Sequence, residues 1–217
     1  AVFDIDGTLV RWQLYHAVAN ALIKSTINPS LYESVQRSRK NWKQRTHSQS
    51  FREYELALVA AHEATLQELT TDQFNQAAAE VFEEHKDQVY TFTRDLITTL
   101  KKEGYFLLAI SGSHTELVAK IADYYGFDDY VGTEYLHADG RFTGEKILGS
   151  TNKNQTLEAF IAKHKLSLKD SYAVGDSEGD IPMLKMVENP IAFNPTQGLL
   201  DTAKAEGWQV VVERKNV

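Results

Sequence analysis

The sequence predicts an α/β protein: a mostly parallel sheet with helices on both faces and a helical insertion after its first strand. Three features predict this. The chain opens on a short apolar run, AVFDI, which breaks at Asp6-Gly7. A helical region of roughly 75 residues follows, long enough for several packed helices. From about Val89 onward, short apolar stretches alternate with helical ones, the pattern of parallel strands joined by crossover helices.

The expected elements run in order. AVFDI reads as a buried strand ending in a turn. In QLYHAVANALIK, the residues Leu14, Val18, Ala21 and Leu22 keep helical spacing. Asn28-Pro29 punctuates the helices. Thr70 and Gln73 are spaced as a capping box ahead of a helix whose apolar face is Phe74, Ala77, Ala78, Val81 and Phe82. The basic run from Arg37 to Arg45 reads first as a solvated helix face, with an anion-attracting rim as the alternative. RDLITTLKKEG is a helix stopped at Gly104, and YFLLAI a buried strand. Ser113 and Glu116 suggest a capping box for a helix ending at Gly126. YVGT is a strand, and YLHADGRFTG a hairpin turning at Asp139-Gly140. Helix NQTLEAFIAKH, strand SYAV, short helix DIPMLKMV, strand PIAF, helix PTQGLLDTAKAEG and strand WQVVV complete the chain. The core is thus expected over 1–10 and 89–217, and the insertion over 11–88.

Composition narrows the function. The 217 residues carry 23 basic and 30 acidic side chains, net −7, with no basic stripe, so nucleic acid is not expected as a partner. An anionic substrate then needs a metal or a local cation to attract it. Cysteine is absent, which excludes disulfides and thiolate chemistry. No apolar run is long enough to span a bilayer and no signal peptide is visible, so a cytoplasmic location without membrane contact is expected. The chain starts without Met inside an apolar run, so residues are expected before Ala1.

The chemistry-bearing residues follow the strands. Asp4, Asp6 and Thr8 follow the first strand; Ser111, Gly112 and Ser113 follow YFLLAI; Asp176 and Asp180 follow SYAV. All stand at carboxyl ends of parallel strands, where open sheets bind ligands. Converging carboxylates repel by about 4 kcal/mol per pair at ~4 Å and an effective dielectric of ~20. A hard divalent cation such as Mg²⁺ relieves this. With Lys153, a hydroxyl from Ser111 and free backbone N–H groups at a helix start near Gly112, the set suits a phosphoryl group. One carboxylate can act as nucleophile while its neighbour two residues on works as acid and base.

DIDGT, SGS, Lys153 and GDSEGD, in this order, resemble the four motifs of the haloacid dehalogenase (HAD) superfamily. The insertion and the DIPML helix resemble its phosphoserine-phosphatase-like branch. The resemblance covers the whole chain and implies a Rossmann-like core, a helical cap, a Mg²⁺ cofactor and a small phosphorylated substrate. It implies Asp4 as nucleophile and Asp6 as acid/base, whose carbonyl also binds the metal. Ser111 and Gly112 match the phosphate binders, with Thr8 beside them, and Lys153 the stabilising lysine. Asp176 matches a metal ligand and Asp180 a ligand or its support. Lys153 is preferred to Lys146 because it stands 23 residues before Asp176 (176 − 153).

The resemblance also has gaps. An acidic residue that holds the substrate's ammonium in phosphoserine phosphatases is matched here by Gln13. The carboxylate-binding arginine falls at Leu58 if Phe51 is aligned, with Arg52 as a substitute. Gly179 stands where many relatives have Asn. The expected activity is therefore a phosphomonoester hydrolase acting through an aspartyl-phosphate, on a substrate other than phosphoserine. Phosphoserine phosphatase itself, a phosphotransferase, a receiver-like signalling module and a non-catalytic phosphate binder are the alternatives. Gln13 and His114 are expected to touch substrate, and Trp12, Tyr15 and His16 either do so or pack within the protein. His47, His62, His85, His137 and His164 show no metal-ligand spacing and are expected on the surface or in the cap.

Overall fold

The computed structural model describes residues 1–25, 29–149 and 151–214. Its strands are β1 (Val2–Phe3), β2 (Leu108–His114), β3 (Asp129–Ala138), β4 (Arg141–Ile147), β5 (Tyr172–Gly175), β6 (Asn189–Phe193) and β7 (Gln209–Val211). Its helices are α1 (Leu14–Ser25), α2 (Pro29–Lys43), α3 (Ser50–Glu68), α4 (Thr71–His85), α5 (Thr91–Lys102), α6 (Thr115–Tyr125), α7 (Lys153–His164), α8 (Ile181–Leu184) and α9 (Gln197–Glu206). The strands form one sheet in the order β4-β3-β2-β1-β5-β6-β7. Every pairing from β3 to β7 is parallel. Asn28, expected to punctuate the first helices, lies outside the described residues.

The chain divides into two compact units. One comprises 1–14, 82–134 and 147–217; the other comprises 15–81 and 135–146. The first unit holds the sheet core. Val2, Leu108, Ile110, Ala173 and Ala192 on the strands pack with Leu157 and Phe160 of α7, Met183 and Leu184 of α8, and Leu199 and Ala203 of α9. Strand order explains how the site arises. β1 lies between β2 and β5, and the chain builds outward first on one side of it and then on the other. Such a reversal opens a crevice at the carboxyl end of the central strand.

The second unit is built on α1, α2, α3, most of α4 and the outer part of the β3–β4 ribbon. Its core is Ala19, Ile23, Val35, Tyr54, Leu58 and Ala61, flanked by Tyr15, Leu31 and Trp42. Its buried stripe on α1 runs through Val18, Ala19, Leu22 and Ile23, whereas Ala21 is exposed. The stripe is therefore one residue off the expected position there, because both Ala19 and Ile23 turn inward. The capping box at α4 is present: Thr70 Oγ1 accepts the Gln73 N–H at 3.2 Å, and Gln73 Oε1 accepts the Thr70 N–H at 2.9 Å. Residues 135–146 belong to this unit for a visible reason. The hairpin turns at Asp139 (φ 50°) and Gly140 (φ 75°), the signature of a tight primed turn. Gly140 O then accepts the Thr71 N–H at 2.9 Å, and Phe142 meets Phe74 edge-on at 5.5 Å.

Two further expectations change. β1 is only two residues long, since the chain turns as soon as Asp4 is placed. The helix after β2 starts at Thr115 with His114 as N-cap and no side-chain cap, so Ser113 does not open it. Instead, Ile110 pairs with Val131 and His114 with Thr133, so four positions on β2 span two on β3. Ser111, Gly112 and Ser113 form an irregular bulge in the strand. Bulges re-aim side chains next to active sites. The expected stop at Gly126 holds, with φ 73° in the left-handed C-cap.

His62 of α3 is wholly buried, with its ring edge-on to Tyr15 at 5.1 Å and to Tyr135 at 5.9 Å. Burial, helped by the charge of Lys146, pushes the His62 pKa down from 6.5 to about 3. Below pH 6.5 the unfolded chain takes up a proton that the folded chain refuses. His62 therefore costs stability as pH falls from 6.5 toward 3, at up to about 1.4 kcal/mol per pH unit. Urea unfolding at a series of pH values is expected to show a shallower acid slope in His62→Gln than in the parent, by nearly one proton.

Candidate active site

Four acids and one lysine meet at the carboxyl ends of β1, β2 and β5. Asp4 follows β1 directly and its N–H bonds Val174 O at 2.9 Å, fixing it beside β5. Lys153 is the first residue of α7 and is 5% exposed. Its Nζ donates to Asp4 Oδ1 at 2.6 Å, to Asp180 Oδ1 at 2.6 Å and to Ile110 O at 3.1 Å. The ammonium thus spends all three hydrogens inside the protein. Lys146, the rival lysine, pairs with Glu63 in the helical unit.

Asp6 stands on the other side of the loop. Its Oδ2 accepts the Ser111 hydroxyl at 2.7 Å and its Oδ1 accepts the Leu14 N–H at 2.5 Å. Ser111 Oγ in turn accepts the Ser113 N–H at 2.9 Å, and Thr133 Oγ1 donates to Gly112 O at 2.8 Å. These bonds hold the bulge of β2 open toward Asp6. Gly7 between the strand and Thr8 is required twice. Its φ is +82°, and a Cβ there would lie 2.2 Å from Asp176 Oδ2.

Asp176 ends the β5 turn. Asp180 sets that turn from within: its Oδ2 accepts the N–H of Asp176 at 3.0 Å, the N–H of Ser177 at 2.9 Å and the Ser177 hydroxyl at 3.0 Å. Ser177 and Asp180 form a reciprocal capping box around the 3₁₀ turn Glu178–Asp180. Asp180 stands at the N-cap of α8, ahead of a proline in that helix's first turn, but its carboxylate turns back onto this loop and makes no cap bond to α8. The SEGD spacing carries the capping-box signal, so Ser177 was findable in the sequence. The roles of Leu14 N–H and Glu178 were not, since neither residue type announces a long-range backbone bond.

The electrostatics are those of a crowded, dry cluster. Burial raises the Asp4 pKa well above the ordinary carboxylate range; Lys153 opposes the rise, and Asp180, Asp176 and Asp6 add to it. Burial likewise raises Asp6, against the hydrogen bonds from Ser111 and Leu14. Asp176 is pushed up to about 7, by burial and then by Asp180. Burial works against the charge of Lys153, but Asp4 and Asp180 overcome it and hold the ammonium ionised. Carboxylate oxygens of Asp4, Asp176 and Asp180 all lie within 4.8 Å of one another. One lysine does not balance them, and an all-oxygen set of this kind fits a hard divalent cation. Both oxygens of Asp180 are already engaged, so Asp4 and Asp176 are the freer donors.

The other expected contacts fall elsewhere. Thr8 is wholly buried next to Asp6, and its hydroxyl has no hydrogen-bond partner among the described residues. His114 is wholly buried at the start of α6. Gln13 is exposed in the segment before α1, and the Trp12 indole N–H donates to Gln88 Oε1 at 2.5 Å. Tyr15 packs on His62, and His16 meets Tyr54 edge-on at 5.7 Å with Glu55 at 3.9 Å. Phe51 and Arg52 are exposed, while Leu58 lies in the core of the helical unit. His62 is interior, and His164 is half-buried against Phe106 with Nε2 2.6 Å from Asp129 Oδ2.

The acid cluster and the buried lysine lie at the carboxyl ends of the central strands, the end at which a parallel α/β sheet binds its ligand. The chain belongs to the haloacid dehalogenase-like hydrolase family, whose model matches residues 1–185. It is similar to a histidinol-phosphatase of Neisseria meningitidis, 26% identical over 225 residues and 97% of each chain. It is also 32% identical over 127 residues to a phosphoserine phosphatase of Mycobacterium tuberculosis, a stretch covering 57% of this chain but 41% of that protein. Among solved structures, a Bordetella pertussis protein of unknown function shares the fold with a TM-score of 0.78 at 23% identity, over 97% and 96% of the two chains. A phospho-aspartyl intermediate analogue of phosphoserine phosphatase shares it with a TM-score of 0.63 at 24% identity, over 98% and 92%. No helix among the described residues is long and apolar enough to cross a membrane.

Breaking the buried lysine pair leaves Asp4 and Asp180 uncompensated. Lys153→Met is expected to lower unfolding stability by about 3–5 kcal/mol at pH 7. Combining it with Asp4→Asn is expected to cost less than the two single losses added together. Strict additivity in urea titrations would show that the pair is not energetically coupled.

Proposed function

We propose that this protein is a Mg²⁺-dependent phosphomonoester hydrolase that works through an aspartyl-phosphate on Asp4. One observation carries the reading. Two aspartates two residues apart have opposite partners: Asp4 is held by a buried ammonium and Asp6 by a hydroxyl and a backbone N–H. In the first, Lys153 opposes the rise that burial imposes on Asp4 and holds its Oδ1 in place, as a nucleophile needs. The second, with its pKa raised by burial, favours a group that gives and takes a proton.

The residues divide the work as follows. An Asp4 carboxylate oxygen attacks phosphorus while the bond from phosphorus to the ester oxygen breaks. Asp6 gives its proton to that leaving oxygen. Water then attacks phosphorus and yields its proton to Asp6, the bond from phosphorus to Asp4 breaks, and inorganic phosphate departs. Ser111 and the backbone around Gly112 bind the phosphoryl oxygens, and Lys153 opposes protonation of Asp4 and orients it. Mg²⁺, held by Asp4, Asp176 and the Asp6 carbonyl, would neutralise phosphoryl charge. Its fit rests on the crowded carboxylates and on the raised pKa of Asp176.

Residues 11–88 are assigned as the cap that selects the substrate. The end-to-end sequence likeness to a histidinol-phosphatase makes histidinol phosphate the first substrate to test, ahead of phosphoserine: the phosphoserine phosphatase similar in sequence matches 57% of this chain, and the one similar in structure along the whole chain is 24% identical and shares the fold alone. Leu58 in place of the carboxylate-binding arginine points the same way, since histidinol phosphate carries no carboxylate and a pocket built for a polar group discriminates strongly. The soluble, cytoplasmic setting expected from the sequence suits such a metabolite.

Phosphate release is expected from histidinol phosphate in the presence of Mg²⁺, with loss on chelation and a fall of at least ~10³-fold in Asp4→Asn. Phosphoserine turning over faster than histidinol phosphate would reverse the substrate ranking. Undiminished turnover by Asp4→Asn would remove the aspartyl-phosphate from the mechanism.

A further inference from the structure

The turn that presents Asp176 is held from two sides, and only the inner side is made by residues of the acid cluster. On the outer side, Asp176 O accepts the Thr196 N–H at 2.8 Å. Two residues on, Glu178 reaches the first turn of α9. Its Oε2 accepts the Thr196 hydroxyl at 2.8 Å and its Oε1 accepts the Gly198 N–H at 3.2 Å. The approach is close: a Cβ on residue 198 would lie 2.5 Å from Glu178 Oε1, so a side chain there would displace the Glu178 carboxylate.

Glu178 itself is exposed. Bonds to its own backbone N–H, then to Thr196, hold its carboxyl below the ordinary range. It is therefore ionised against the positive end of the helix dipole, an arrangement that is favourable in its own right. Its consequence is mechanical. The 176–180 turn is pinned between Asp180 inside and α9 outside, and Asp176 sits at the head of that turn.

We propose that Glu178 is a positioning residue: by clamping the 176–180 turn to Thr196 and Gly198 it fixes how Asp176 is presented to a divalent cation. This rests on the cation reading above. Groups that orient a ligand from behind typically change metal affinity by 10- to 100-fold when removed, and a surface clamp belongs near the lower figure.

Titration calorimetry of Mg²⁺ into the whole protein tests this without relying on activity. Glu178→Ala is expected to raise the Mg²⁺ Kd by roughly tenfold. Thr196→Val, which removes part of the clamp without changing charge, is expected to raise it by roughly threefold. The kcat at saturating Mg²⁺ should stay at the parent value for both, with only the Mg²⁺ concentration for half-maximal rate moving. A Kd in Glu178→Ala within twofold of the parent overturns the proposal. So does weakening in Glu178→Gln equal to Glu178→Ala with none in Thr196→Val, because that pattern reports lost charge and not lost position. If the parent itself binds no divalent cation, the cation reading fails and this inference falls with it.

Discussion

The arrangement at the centre of this protein depends on one buried ammonium. Lys153 lies almost wholly out of water and gives its hydrogens to Asp4, Asp180 and a main-chain carbonyl of β2. Removing two charges from water is costly, and a buried pair recovers the cost only when every donor and acceptor is satisfied. That condition is met at Lys153 and Asp180 through a chain of dependence. Asp180 can serve Lys153 because its second oxygen is filled by the backbone of Asp176 and Ser177. Asp4 can serve it because β1 is clamped between β2 and β5. The lysine reads the position of three strands at once.

Topology supplies what local sequence does not. Asp4 and Asp176 are far apart in the chain and come together because β5 is laid beside β1 only after the chain has built β2 and β3 on the other side. The same reversal opens the end of β1 to a ligand. A close approach of backbone completes the site. Gly175 admits the Asp180 side chain, since a Cβ on it would lie 2.4 Å from Asp180 Cβ.

Much of this was legible in the sequence, and the failures have physical reasons. The strand-helix alternation, the Thr70–Gln73 box, the Asp139-Gly140 turn and the Gly126 stop are local signals, and each is realised locally. The acid cluster was legible because its acids follow two apolar strands in pairs, Asp4 and Asp6 after β1 and Asp176 and Asp180 after β5. Ser113 was misread because Ser-x-x-Glu is a cap signal in isolation, while pairing of His114 with Thr133 keeps the segment in the sheet. Ala21 was misplaced because apolar periodicity on a short, alanine-containing helix admits two faces, and packing chooses between them. His62 reads as an ordinary polar residue and is buried between two tyrosines that lie far from it in sequence.

The two aspartates at the end of β1 illustrate the larger point. Identical side chains two residues apart on a strand point the same way, and like neighbours would titrate alike. Their environments separate them. Asp4 faces a permanent cation, so burial and attraction compete over its proton. Asp6 takes its hydrogen bonds from neutral donors, so burial is opposed first by those bonds and only last by the charge of Lys153. Gly7 makes the separation possible, because its left-handed backbone turns the chain where any side chain would collide with Asp176. A pair of carboxylates becomes two different chemical groups through what the fold sets against each of them, and that difference is what lets adjacent residues take successive parts in one reaction.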